Sequence, residues 1–435
     1  MAHFGVVAPA FYSHYNALEA LAGELVARGH RVTFLHRPDA RQYLRDGRVG
    51  FHAVGADTHP LGSLADSLQR AANPGGPLGL RRVILDMAGT TDMLCRELPH
   101  AIATLGIDAI VADQMEAAGG LVAEGLGIPF VSVACALPVN REPGIPLPVM
   151  PFAYADSERA RQLYEGSTRV YDWMMGPHHR SIATNARRFG LERRAGLHDC
   201  LSPLAQVSQT VEAFDFPRRA LPAHFHHVGP LRPVVARPQA RAAKRIPAVA
   251  AGRPFVFASL GTLQGQRFGL FKRIAQACRR LDAQLLVAHC GGLDAPQERA
   301  LERAGATWVC DFADQQAVLE RADAVVSHAG SNTVMDAIAA RTPILALPIA
   351  FDQPGTASRV VHAGVGLKAS ARLAGSAQLA ASLRRLLDEP GFAARLAALS
   401  DSVGNAGGTP RAADIIETAL RLHPQLGTTS VASHG

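Results

Sequence analysis

Residues 312–353, FADQQAVLERADAVVSHAGSNTVMDAIAARTPILALPIAFDQ, hold the densest set of side chains able to bind and polarise a ligand. An apolar strand expected to end at Ser327 runs into a turn of His328, Ala329 and Gly330, and Ser331, Asn332 and Thr333 open a helix. The first N–H groups of a helix have no partner inside it and the dipole is positive there, so that end attracts an anion such as a phosphate. Gly330 permits close approach, Asn332 and Thr333 add side-chain donors, and His328 has a ring N–H to offer. Ser, Asn and Thr are also ordinary N-cap residues, so this piece alone does not separate a phosphate site from a cap. The continuation favours the ligand. Pro343 and Pro348 bracket another short strand, and Asp352 with Gln353 follow its end, on the rim where open α/β sheets bind ligands.

A second set sits far away in the chain. A hydroxyl is a poor nucleophile unless a base within hydrogen-bond reach takes its proton as it attacks. His14 lies after the first expected strand, Phe4 to Ala8, in a loop with Ser13, and Asp113 closes another strand beginning at Ala109. A carboxylate bonded to the imidazole would orient it and stabilise the imidazolium that forms. His226 and His227 carry no such context and read as ordinary histidines. No Asp-x-Asp occurs, so the paired carboxylates that commonly hold a divalent ion on a diphosphate are missing, and no metal or cofactor is expected.

Both sets need parallel sheets to position them. The apolar runs at Phe4–Ala8, Arg31–Leu35, 109–112 and Phe130–Cys135 alternate with helical patterns, and the series repeats at Phe255–Leu260, Leu285–His289, Thr307–Cys310, Ala324–Ser327 and Ile344–Leu347. Near-continuous apolar strands between helices predict parallel sheets covered on both faces, here two Rossmann-like doubly wound domains. Gly29 ends the first helix. The segment NREPGIPLPVMP (140–151) is too rich in proline for regular structure. The expected division is a first domain over 1–225, a basic proline-containing linker over 226–252, a second domain over 253–422 and a flexible tail over 423–435. Helices over 157–194 carry His178, His179, Arg180, Arg187, Arg188, Arg193 and Arg194, read as a solvated face rather than a membrane-docking patch.

At 435 residues, 48% apolar and 19% charged, the chain has material for two filled cores. No run reaches the roughly 18 apolar residues that span a bilayer, and no signal peptide opens the sequence, so a cytoplasmic protein is expected. A net charge of +7 suits anionic partners, but aromatics at 6% with no basic tract around them argue against nucleic acid. The six scattered cysteines read as reduced core residues.

The stretch 312–353 resembles the nucleotide-sugar signature of the UDP-glycosyltransferase superfamily: an aromatic and a Gln, a His-x-Gly-x-Asn turn, and an Asp/Glu-Gln pair. The resemblance implies a GT-B fold, two such domains facing a cleft, and a UDP-sugar donor. It places Phe312 near uracil, Gln315 on base or ribose, and His328, Gly330, Ser331, Asn332 and Thr333 around the diphosphate. It places Asp336 on the ribose and Asp352 with Gln353 on the hexose. The turn Ser259, Leu260, Gly261, Thr262 resembles the one whose hydroxyl faces the diphosphate, and His14 with Asp113 match the family's base and its acidic partner. Phe312 stands where Trp is usual, Asp336 where Glu is usual, and Ala329 where Cys or Gly is common.

Longer runs, among them HFGVVAPAFYSHYNAL, TTDMLCRELP, SVACALPVNREPGIPLPVMPF and ALPIAFDQPGTASR, resemble the zeaxanthin glucosyltransferases of bacterial carotenoid biosynthesis. That likeness implies an inverting, metal-independent transferase moving glucose from UDP-glucose to the ring hydroxyls of a xanthophyll, giving β-glucosides. Phe11, Tyr12, Met87, Met115, Leu137, Met150 and Phe152 are the candidates to line its apolar acceptor cleft. A membrane-dwelling acceptor implies peripheral contact with the inner face of the membrane. Another apolar alcohol as acceptor, a UDP-sugar epimerase and a non-catalytic UDP-sugar binder are the alternatives, and a binder has no need of His14 with Asp113.

Overall fold

A computed structural model describes residues 1–234 and 248–421. The expected tail, 423–435, and residues 235–247 of the expected linker lie outside the described residues.

The first sheet has seven strands, β1 (His3–Val7), β2 (Arg31–His36), β3 (Gly50–Ala53), β4 (Ala109–Asp113), β5 (Phe130–Ala134), β6 (Gln206–Ser208) and β7 (Phe225–His227), in the order β3-β2-β1-β4-β5-β6-β7. The second has six, β8 (Phe255–Ser259), β9 (Gln284–Ala288), β10 (Trp308–Cys310), β11 (Ala324–Ser327), β12 (Ile344–Ala346) and β13 (Gly366–Lys368), in the order β10-β9-β8-β11-β12-β13. Every pairing is parallel. All residues of β1, β4, β5, β8 and β9 are buried, as expected of strands with helices on both faces. Both sheets are doubly wound, and each reverses its strand order between its first strand and the fourth, so the switch points lie between β1 and β4 and between β8 and β11.

The helix after β1 begins earlier than expected. It runs Tyr12–Ala27, so Ser13 and His14 occupy its first turn rather than a loop, with Tyr15, Leu18, Leu21 and Leu25 facing the core. Arg28 caps it and Gly29 takes the left-handed conformation at φ 89°, where an L side chain is strained.

Chain segments cross between the domains in both directions. The helix Gly408–Arg421, expected to belong to the second domain by chain order, packs on the first: Ala412, Ala413, Ile416, Ala419 and Leu420 join Leu18, Leu21 and Phe34 in one core. Glu417 there accepts from His30 Nε2 at 2.9 Å and from Arg28 Nη1 at 3.0 Å. In the other direction Leu137, Val211 and Phe214 enter the core of the second domain. The start of the expected linker is also structured: residues 225–227 form β7, and Val228 and Leu231 are fully buried in the first core. Basic and proline-rich composition suggested a free connector there, but parallel pairing with β6 outweighs it.

Residues 157–194 fold as two helices, Glu158–Met174 and Gly176–Arg188. The solvated-face reading fails at His178, which is 1% exposed. None of the helices among the described residues is long and apolar enough to cross a membrane.

The contribution of the Gly408–Arg421 helix to the first domain is measurable. Ile416 is fully buried, and Ile416→Ala should cost about 2–5 kcal/mol of unfolding free energy in denaturant titration. A cost below about 1 kcal/mol would show that the helix only lies on the surface.

Candidate functional site

The carboxyl ends of the two sheets face a shared cleft of about 1630 Å³. His14 is delivered by the chain leaving β1 and Asp113 is the last residue of β4, so the two flank the switch point of the first sheet. Asp113 is fully buried and its Oδ2 lies 2.6 Å from His14 Nδ1, while Oδ1 accepts the Met115 N–H at 2.9 Å. The anchored carboxylate fixes the Nδ1–H tautomer, and His14, which lines the cleft, keeps Nε2 as its basic atom. Burial works against a charged imidazole, as does its place in the first turn of a helix. The charge and hydrogen bond of Asp113, with the charge of Asp352, outweigh this and raise the His14 pKa above 6.5.

Across the cleft the second sheet repeats this geometry. Gly261 and Thr262 follow β8 and His328 follows β11, again on either side of a switch point. The helix Ser331–Ala339 starts at Gly330 with no side chain capping it, which leaves its first N–H groups for a ligand. His328 is held between two glycines. A Cβ at Gly330 would lie 2.5 Å from its Nε2, and one at Gly261, whose φ is 73°, would lie 2.7 Å from its Cε1. Burial pushes the His328 pKa down to about 4, against a backbone contact with Ser259, so near neutral pH the ring donates as an uncharged imidazole.

Polar contacts fix the remaining donor-side residues. Gln353 Oε1 accepts the N–H groups of Ile349 and Ala350 at 2.9 and 2.8 Å, which leaves its NH₂ as the donating end. Asp352 Oδ2 accepts from Ser331 Oγ at 3.2 Å and from Leu137 N at 3.3 Å. Thr333 Oγ1 donates to Gln315, and Gln315 Nε2 donates to Asp336 Oδ2 at 2.7 Å. Asn332 Nδ2 reaches the Ser13 carbonyl at 3.2 Å, joining the anion turn to the residue before His14.

The cleft brings together Thr262, Phe312, Gln315, His328, Gly330, Ser331, Asn332, Thr333, Asp336, Asp352 and Gln353 with His14, and on the other side Phe11, Tyr12, Met87, Met115 and Met150. Two expected acceptor residues lie elsewhere. Leu137 is 1% exposed and belongs to the core of the second domain, and Phe152 stacks on Tyr164 at 6.0 Å. Both follow apolar or proline-rich stretches whose path across the domains has no local signal.

Sequence reasoning also missed Arg232. Its guanidinium binds Asp336 Oδ1 at 2.8 Å and the Asn332 carbonyl at 3.1 Å, so both carboxylate oxygens of Asp336 are engaged by protein groups. A basic residue in a proline-containing stretch offers nothing to distinguish this one from its neighbours.

Comparison with known proteins agrees with this geometry. Residues 197–403 match the family model described as UDP-glucoronosyl and UDP-glucosyl transferase. A zeaxanthin glucosyltransferase of Pantoea ananas is 53% identical over 97% of this chain and 96% of its own length. One from Pseudescherichia vulneris is 48% identical over 97% and 98%. Among solved structures the glycotransferase of kitacinnamycin superposes with a TM-score of 0.72 at 21% identity, covering 96% of this chain and 99% of that one. The calicheamicin glycosyltransferase CalG4 gives 0.70 at 19%, covering 97% and 98%. These distant likenesses establish the GT-B fold, and the near-full-length relatives establish the rest: the chain is a glycosyltransferase of the UDP-glucoronosyl and UDP-glucosyl transferase family.

Proposed function

We propose that the protein moves glucose from UDP-glucose to the ring hydroxyl or hydroxyls of a xanthophyll such as zeaxanthin, giving β-glucosides by inversion and without a metal ion. The observation that carries the reading is the His14–Asp113 pair at 2.6 Å, set across one cleft from an uncapped helix start. The names of the two near-full-length relatives supply the acceptor and the sugar.

In this mechanism the diphosphate lies at the Gly330 turn. The first N–H groups of the Ser331–Ala339 helix, neutral His328 and Thr262 stabilise the charge that develops on the departing UDP. Phe312 and Gln315 hold the uridine, with Asp336 and Arg232 fixing the ribose end. The Gln353 NH₂ and Asp352 bind hexose hydroxyls. The acceptor hydroxyl, seated among Phe11, Tyr12, Met87, Met115 and Met150, gives its proton to His14 Nε2 as its oxygen attacks the anomeric carbon. The C–O bond to UDP breaks in the same displacement, which inverts an α-linked donor to a β-product. Asp113 keeps its own charge and stabilises the imidazolium.

A lipid-dissolved acceptor must also reach the cleft. Trp173 and Val170 on the Glu158–Met174 helix are 81% and 56% exposed, and the same helix sends Tyr171 and Met174 into the cleft wall. That helix carries Arg159, Arg161 and Arg169 against Glu158, Glu165 and Asp172, so its exposed apolar side chains, together with the chain's net charge of +7, support the proposed peripheral contact with an anionic bilayer.

Three measurements test the reading. With UDP-glucose and detergent-solubilised zeaxanthin, wild type should add one or two hexose masses equally with and without chelator, and His14→Ala should lose about 10²- to 10⁴-fold in rate. Full activity in that variant would remove His14 from the chemistry. The base works only when neutral, so wild-type kcat/KM should rise with pH through an inflection above 6.5, the ordinary histidine value. In Asp113→Asn, with the opposing charge gone and the burial retained, that inflection should move to lower pH, and an unmoved inflection would deny the pairing its role. Vesicles rich in anionic lipid should sediment the protein at low salt and release it at high salt, with Trp173→Ala binding more weakly. Protein that stays in the supernatant at low salt would exclude the bilayer contact.

A further inference from the structure

Phe351 sits at the reacting end of the cleft, and the transfer chemistry leaves it without a part. It directly precedes Asp352 and Gln353, it lines the cleft, and it is 37% exposed. Its backbone is left-handed at φ 56°, and it is the one aromatic residue with a positive φ among the described residues. A bulky side chain is strained in that region, which glycine enters freely, and it persists only where its surroundings fix the backbone. They do so here. Gln353 Oε1 holds the N–H groups of Ile349 and Ala350, the Gln353 N–H returns to the Ala350 carbonyl at 3.2 Å, and Asp352 Oδ2 accepts from Leu137 N. The turn is closed on both sides of Phe351, and its ring is left on the cleft wall.

That ring reaches across to the first domain. Its centroid lies 5.9 Å from that of Phe11 with the planes at 61°, and the Phe11 ring lies 5.9 Å from that of His14 at 45°. Phe11 in turn directly precedes the helix that carries His14. The three rings form one line of contacts from the second rim to the base, so Phe351 and Phe11 make a single aromatic surface that ends at His14. The neighbouring carboxylate confirms how close the two rims are, because the charge of Asp352 is felt by His14. In the proposed mechanism the hexose lies on Asp352 and Gln353 and the attacking hydroxyl on His14. The carbon that bears the hydroxyl then lies between them, beside this surface.

We propose that Phe351 is an acceptor-specificity residue supplied by the second domain: with Phe11 it forms a platform for the ring that bears the reacting hydroxyl, and it selects cyclic alcohols over alcohols on open chains. The platform rests on the reading of the chain as a transferase to apolar ring hydroxyls, and it names the feature of the acceptor that the site reads. A six-membered carbon ring presents a broad apolar face beside its hydroxyl, which two aromatic side chains set at an angle can cover. An open chain presents a narrow edge and leaves most of the aromatic area wet. The platform takes one ring from each domain, so it is complete only where the two rims meet.

The test uses the full chain as wild type, Phe351→Gly and Phe351→Tyr, with UDP-glucose and two carotenoids of equal carbon number: zeaxanthin, and one whose hydroxyl sits on an open end group. Glycine suits the left-handed backbone, so Phe351→Gly keeps the turn while losing the ring. Wild type should favour zeaxanthin in kcat/KM, Phe351→Gly should reduce that preference roughly three- to tenfold, and Phe351→Tyr should keep most of it. Carotenoid binding in the presence of UDP, followed by the absorption shift in detergent, should show the same loss of preference. A wild type that does not distinguish the two carotenoids would overturn the platform, and so would an unchanged preference in Phe351→Gly. In the latter case an equal loss for both would mean that the ring only aligns the domains, and a raised KM for UDP-glucose alone would make it a surface for the hexose. A binding preference that depends on Phe351, with no hexose transferred to either carotenoid by wild type, would leave the platform standing and bring down the transferase reading alone.

Discussion

A single displacement needs base, attacking oxygen, anomeric carbon and leaving diphosphate in one line, and in this fold the two ends of that line belong to different sheets. Everything else about the molecule serves the distance between them. Each sheet contributes its switch point, the one place on its carboxyl edge where neighbouring connections leave in opposite directions and open a crevice. The rims then touch at a few points: Asn332 on the Ser13 carbonyl, Phe11 edge-on to Phe351 at 5.9 Å, and Arg267 Nη2 on the Ala72 carbonyl at 3.0 Å. The first two lie within a few residues of His14 and Gln353. The contacts that align the domains are therefore also contacts of the chemistry.

Behind the rim a buried ionic junction holds the helix that begins at Gln353. Arg359, fully buried, donates to Asp215 Oδ1 at 2.5 Å and lies 4.2 Å over the Phe216 ring, while Arg218 takes Asp215 Oδ2 at 2.7 Å. Burial alone would raise the Asp215 pKa, but the two guanidinium groups bring it to about 2. The proline-rich loop crosses to the same helix, where Gly355 N–H meets the Pro148 carbonyl at 3.1 Å. A Cβ at Gly355 would stand 2.0 Å from that oxygen, so only glycine admits so close a crossing. Such an ionic cluster is weak evidence for net stability, but a removed partner leaves a buried charge, which makes the geometry stiff.

The long buried strands and the anion turn were legible because their signals are local: continuous apolar runs, a glycine at a helix start, prolines around a strand. His14 and Asp113 were legible for the same reason, since each sits at the end of such a run. The short strands β3, β6, β7 and β13 escaped because GFHA, QVS, FHH and GLK mix polar residues and glycine into their three or four positions, whereas the equally short β10 and β12 are apolar throughout. Arg232 escaped because what distinguishes it is a pair of partners, Asp336 and Asn332, far off in sequence. Phe152 and Leu137 had the right character for an acceptor wall, and only the path of the chain sends one onto Tyr164 and the other into the second core.

The return of the Gly408–Arg421 helix to the first domain has a consequence for synthesis. Ile416 and Leu420 fill the same core as Phe34 and Leu18, so the first domain cannot be finished when its own strands have left the ribosome. Its sheet must wait, with part of one apolar face uncovered, while the second domain is translated and folds. The Gly408–Arg421 helix, made after the second domain, closes the first one, and the order of completion runs opposite to the order of the sequence. Such a chain gains a proofreading property: a ribosome that stops short leaves a product whose first domain still exposes oily surface, the mark by which chaperones and proteases recognise unfinished protein.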